Sequence, residues 1–123
     1  MQKLAKQDPD STGWQCDLAG GHNRLGNLLV AQGDLNGAKE QYQSALEIMR
    51  KLINQDPSNS GWQHDLSDAY KGLGVLSKKQ GDITSAQQNF QPSLEILTNL
   101  IRLHGENPTW KTDLDSVKKE LGE

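Results

Sequence analysis

Gly13-Trp14-Gln15-Cys16-Asp17-Leu18 returns as Gly61-Trp62-Gln63-His64-Asp65-Leu66, and again as Thr109-Trp110-Lys111-Thr112-Asp113-Leu114, each copy offset by 48 from the one before. Trp, Asp and Leu keep their places in all three copies. Outward from this stretch the same step of 48 holds: Gln7-Asp8-Pro9 becomes Gln55-Asp56-Pro57, Gln32-Gly33-Asp34 becomes Gln80-Gly81-Asp82, and Leu46-Glu47-Ile48 becomes Leu94-Glu95-Ile96. Over the first 48 positions the shift gives 22 identities, and they fall in blocks. A period of about 20 to 50 residues marks a stacked array, in which each unit buries its apolar face against the next.

Each unit reads as two helices. Trp14, Leu18, Leu25 and Leu28-Leu29 share one helical stripe, and Ala38, Tyr42, Ala45, Met49 and Ile53 share another. Gly33 and Gly81 fit left-handed helix ends, and Asp34 and Asp82 fit caps of the helix that follows. So short a turn makes the two helices antiparallel. Thr12-Gly-Trp-Gln15 and Ser60-Gly-Trp-Gln63 fit a capping box, whereas the third copy offers Asn107 as cap and Pro108 as first helical residue. The recurring Asp17, Asp65 and Asp113 read as first-turn carboxylates that complement the helix dipole. Helices are expected near 13–32, 35–55, 61–80, 83–103 and 109–121, with Pro92 bending the fourth without breaking it. The fold class is all-α, an antiparallel helix-hairpin solenoid of about five helices forming one array. Within it, 1–9 reads as the tail of a preceding repeat, 10–57 as repeat one, 58–105 as repeat two, and 106–123 as the first helix of repeat three, acting as a cap.

Glycine inside a helix costs about 1 kcal/mol against alanine, yet Gly26, Gly74 and Gly122 each follow a leucine. That recurrence predicts helix crossings too close for a Cβ, with Ala38, Ala45, Ala86 and Ser93 as the facing surface.

Composition narrows the function. The 123 residues are 33% hydrophobic, with mean hydropathy −0.76 and net charge −3. That balance suits a thin seam between wetted faces and gives no support to nucleic-acid binding. No apolar run approaches the roughly 18 to 20 residues that span a bilayer, and no signal peptide is evident. Cys16 alone makes no disulfide within the chain, so the expected location is cytoplasmic. Cys16, His64 and Thr112 align on successive first helices, but two candidate ligands do not make a metal site. No catalytic triad or phosphate loop is suggested by spacing. The expectation is a non-enzyme with no cofactor and no metal. His22 reads as a packed ring, and His104 as a helix-end cation.

Leu25-Gly26, Gly33-Asp34, Ala38, Tyr42 and Ala45, and again Leu73-Gly74, Gly81-Asp82, Ala86, Phe90 and Ser93, resemble the tetratricopeptide repeat (TPR) pattern in register. His22 and Tyr70 stand in its Trp slot, Leu29 and Ser77 in its Tyr slot, and Arg50 and Thr98 in its Pro slot. Without that proline the second helix runs on, which accounts for a period of 48 in place of the usual 34. The variant resembles long repeats of bacterial multidomain signalling and adaptor proteins. Each added length then needs a cover, and Trp14, Trp62 and Trp110 are expected on Leu4, Leu52 and Leu100.

The resemblance implies a right-handed superhelix and a protein–protein interaction scaffold whose first helices line a concave groove for a peptide or a partner helix. By register the groove residues are Asn23, Asn27, Val30, Lys71, Val75, Lys78 and Lys119. Asn27 fits the family's carboxylate clamp, while Asn23 and Gly72 depart from it. Lys71, Lys78, Lys79 and Lys119 against Asp68 point to acidic peptides as partners. The alternative is self-association, as a homodimer through exposed repeat ends, and the remote alternative is an enzyme.

Overall fold

A computed structural model describes residues 12–105 and 107–122. Among them lie five helices and no strand: α1 (Thr12–Ala31), α2 (Leu35–Gln55), α3 (Ser60–Lys79), α4 (Ile83–His104) and α5 (Pro108–Glu120). Thr12, Ser60 and Pro108, which start α1, α3 and α5, keep the step of the sequence repeat, as do Leu35 and Ile83 at the starts of α2 and α4. Every helix packs on its neighbour in sequence, and α1 also reaches α3. The expected tail at 1–9 and the contact of Trp14 with Leu4 lie outside the described residues.

The turns follow from local chemistry. Gly33 and Gly81 take φ of 85° and 81°, a region where a side chain is strained. In each turn two amides double back on the helix they leave. Gly33 N donates to Val30 O and Asp34 N to Leu29 O, as Gly81 N donates to Lys78 O and Asp82 N to Ser77 O. The next helix then starts at once, with Asp34 Oδ1 accepting from Gly37 N at 2.9 Å and Asp82 Oδ1 from Ser85 N at 3.0 Å. Asn107 caps α5 by accepting from Thr109 N and Trp110 N, ahead of Pro108.

The capping box at Ser60 is not formed. Ser60 is already helical, and Asn59 accepts from Trp62 N at 3.0 Å instead. The side-chain amide of Gln63 donates to Pro57 O, away from the cap. The equivalent cap of α1 lies outside the described residues. α4 runs unbroken through Pro92.

Three apolar clusters make the core. Ala19, Ala45, Met49, Leu52, Leu66 and Ala69 form the first, with Trp62 packed on the cluster that holds Leu52. Ala38, Tyr42, Leu73 and Leu76 form the second. Ala86, Phe90, Leu97 and Val117 form the third. Trp110 packs on this cluster and meets the His104 ring edge-on with centroids 6.0 Å apart. Between the clusters, the Ser67 and Ser93 hydroxyls pair at 2.8 Å.

The glycine reading changes in one respect. A Cβ on Gly26 would fall 2.7 Å from the Tyr42 ring, and one on Gly74 would fall 2.7 Å from the Phe90 ring. The nearest neighbours of these glycines are aromatic rings. Gly122 differs: its φ is 82° and nothing approaches it, so it is a helix stop and not a crossing point.

Candidate protein-binding groove

The first helices α1, α3 and α5 stand side by side, because each is covered on its other flank by α2 or α4. Between them opens a pocket of about 320 Å³. Asn27 and Val30 of α1 form one wall. Asp68, Lys71, Gly72 and Val75 of α3 form the other, with Asp113 of α5 at the edge and Tyr42 at the back.

Tyr42 is fixed there from three directions. Gly26 and Gly72 lie against its ring, and a Cβ on either would overlap it. Its hydroxyl donates to Asn27 Oδ1 at 2.5 Å. Burial pushes the Tyr42 phenol above its ordinary value, so it stays a neutral donor.

Two polar rungs cross from repeat to repeat on this face. Cys16 Sγ donates to Asp65 Oδ2 at 3.7 Å, and His64 Nε2 lies 2.7 Å from Asp113 Oδ2. Both span 49 residues, one more than the repeat, so a side chain on one first helix meets the carboxylate one place further along the next. Asp65 and Asp113 therefore serve as rungs, and neither sits in the first turn of its helix. Burial, and then the Asp65 charge, push the Cys16 thiol up, which keeps its proton in place for the bond. Burial also lifts Asp65, against the opposing pull of His64, the Cys16 hydrogen bond and Arg24.

Asp68 is the most perturbed group in the groove. Burial, reinforced by the Asp113 and Asp65 charges, pushes it up to about 6, while His64 and Lys71 pull the other way. It accepts no hydrogen bond among the described residues, and its ion pair with His64 is long, at 3.8 Å. His64, Asp65 and Asp68 place one ligand atom each within 4.8 Å of one another. The single nitrogen donor of that trio is already turned to Asp113.

The pocket brings together Asn27, Val30, Lys71 and Val75 from the seven groove positions named by sequence. Asn23 is 7% exposed and ties α1 to α3 by donating from Nδ2 to Asp65 O at 3.2 Å. Its Oδ1 has no partner among the described residues. Lys78 is paired with Glu120 at 3.3 Å, and Lys119 is exposed on α5 outside the pocket lining. The row of lysines thus does not make the pocket basic, because Asp68 and Asp113 outnumber Lys71 there. Sequence reasoning missed the rungs and the place of Gly72. The rungs had a signal, since a donor column at 16 and 64 stands beside an Asp column at 17, 65 and 113. Gly72 had none, because Arg24 and Glu120 occupy its place in the other copies.

Paired helices of equal register, stacked at a fixed step and seamed by recurring contacts, define an all-α helical-repeat scaffold. Residues 23–59, from within α1 to just past α2, match the family model described as Tetratricopeptide repeat. Neither the curated proteins nor the solved structures searched give a match. Repeats of this family mediate protein–protein interaction, and the family is a non-enzymatic scaffold family. No helix among the described residues is long and apolar enough to cross a membrane.

Proposed function

We propose that the chain is a protein-interaction scaffold that holds a segment of a partner in the groove of α1, α3 and α5. The observation that carries this is the pocket, walled by two successive first helices and edged by the third. Its lining is apolar at Val30 and Val75 and carries both signs of charge at Lys71, Asp68 and Asp113. Such a surface suits a peptide with an apolar anchor and polar flanks, where rim charges set orientation more than affinity. A preference for acidic partners does not follow from this lining.

The test is selection of peptides from a random library, followed by fluorescence anisotropy against groove and outer-face variants. Lys71→Glu weakens binding roughly tenfold, about 1.4 kcal/mol. Glu47→Lys, on an exposed stretch of α2, leaves it unchanged. Equal affinity for both variants removes the groove from the reading. The alternative, self-association through an open repeat end, has one observation in its favour: α1 exposes Leu18, Leu25 and Leu28.

A further inference from the structure

A second pocket, of about 380 Å³, lies apart from the groove, between the turn that joins α2 to α3 and the last turns of α4. Ile96, Leu100 and Leu103 line it from α4, at the spacing of one helix face. Pro57 adds apolar surface from the turn. Ile96 also packs on the cluster of Ala45, Met49 and Leu52, so the pocket sits inside the array. A further unit at either end would stack on α1 or α5 and leave it open.

The repeat itself does not ask for this lining. Arg102, Leu103 and His104 stand where the first copy has Asn54, Gln55 and Asp56. A cation at a helix end complements the dipole, which accounts for Arg102 and His104. It does not account for the leucine between them, which is 64% exposed at a place where α2 uses glutamine. The charge is one-sided as well, because the lining holds these two basic residues and no acidic one. Asp56, next to the lining, is turned back on Ser58, accepting from its hydroxyl at 2.7 Å. Arg102 donates to Asn99 Oδ1 at 3.3 Å and has no carboxylate partner among the described residues. Its other N–H groups are therefore open to one.

We propose that this pocket is a second binding site, which takes a partner segment by a leucine-size side chain flanked by acidic ones. The apolar side chain lies among Ile96, Leu100 and Leu103, and a flanking carboxylate meets the Arg102 guanidinium. A peptide suits the lining better than a free aliphatic acid does. The Asn99 amide is at hand for main-chain N–H and C=O groups, which an aliphatic acid lacks.

The experiment titrates the full chain, labelled with nitrogen-15, with heptapeptides blocked at both ends. Their centres are Glu-Leu-Glu, Lys-Leu-Lys or Glu-Ser-Glu, and their flanks are serine and glycine. Glu-Leu-Glu moves the amide signals of Ser58, Asn99 and Leu103 saturably, and binds roughly tenfold or more tightly than the other two. Arg102→Asn with Leu103→Gln gives α4 the residues that α2 carries there, and circular dichroism checks that helix content is kept. This double variant weakens Glu-Leu-Glu by roughly tenfold, whereas Lys71→Glu, which acts on the groove, leaves it unchanged. Equal affinity for the three peptides, equal affinity for the double variant, or no saturable shift up to about 1 mM overturns the proposal. Shifts at these amides with octanoate but with no peptide also overturn it, by making the occupant a small amphiphile.

Discussion

Tyr42 has glycine on both sides of its ring and an acceptor on its hydroxyl, so its surroundings have no room for a methyl group. Gly72→Ala drives a Cβ into that ring, at an overpacking cost of about 1 to 3 kcal/mol that outweighs the ~1 kcal/mol gained in helix propensity. Urea denaturation gives a lower midpoint. Gly20→Ala is the control, because its Cβ meets only the Arg24 guanidinium, at 3.4 Å, and it stabilises or leaves stability unchanged. Asp68 supplies a second residue-scale test. Its folded value of about 6 lies above the ordinary 3.8, so the ionised form is the costly one. The favourable contribution is fully present below about pH 3.8 and lost as pH rises through about 6. The side chain is 40% exposed, and after discounting for solvent the loss is about 1 kcal/mol. Asp68→Asn therefore raises Tm at about pH 7.5 by roughly 4 °C, with the gap closing near pH 4. A lower Tm would mean that the pair with His64 outweighs burial. Sequence marked the close approaches at Gly26 and Gly74, and marked Gly122 wrongly. It did not show which ring approaches, because Tyr42 meets one glycine in its own repeat and another in the next.

At the scale of helices, turn chemistry decides the boundaries. Gly-Asp after a basic or polar helix end leaves few conformations: glycine takes the positive φ, and aspartate caps the next helix one residue later. Asp34→Ala leaves the Gly37 amide without its acceptor and costs about 1 kcal/mol. Gly33→Ala forces a side chain into a φ of 85° and destabilises by about 1 kcal/mol. Both shifts are readable as denaturant midpoints, and unchanged midpoints would show the turn to be held by packing alone. The helices were legible to within a residue or two because glycine, aspartate and the apolar stripes mark the same places. The start of α3 was read one residue late. Asn59 and Ser60 are both good caps, and only the fold shows that the asparagine takes the role and frees Gln63 for Pro57 O.

In the whole molecule, each repeat touches only its neighbours, so stability is a sum of local terms and the ends are its weak points. The groove was legible as a surface, because the family register places Asn27, Val30, Lys71 and Val75 on facing helices. Its charge was not, since Asp68 and Asp113 come from different repeats and meet only through stacking. The same stacking predicts where the array opens first. α2, α3 and α4 are covered on two sides, whereas α1 has an open leucine face. α5 is 13 residues long, a length at which an isolated helix is marginal. It is held by Val117 and Trp110 against α4, and by the His64–Asp113 and Lys78–Glu120 contacts to α3. Native-state hydrogen exchange is therefore slowest in α2, α3 and α4, and faster in α1 and α5. Asp113→Ala removes one polar tie between α3 and α5, and so speeds exchange in α5 while leaving α1 as it was. Uniform protection across all five helices, or acceleration spread over the whole chain, would show that the array opens as one cooperative block.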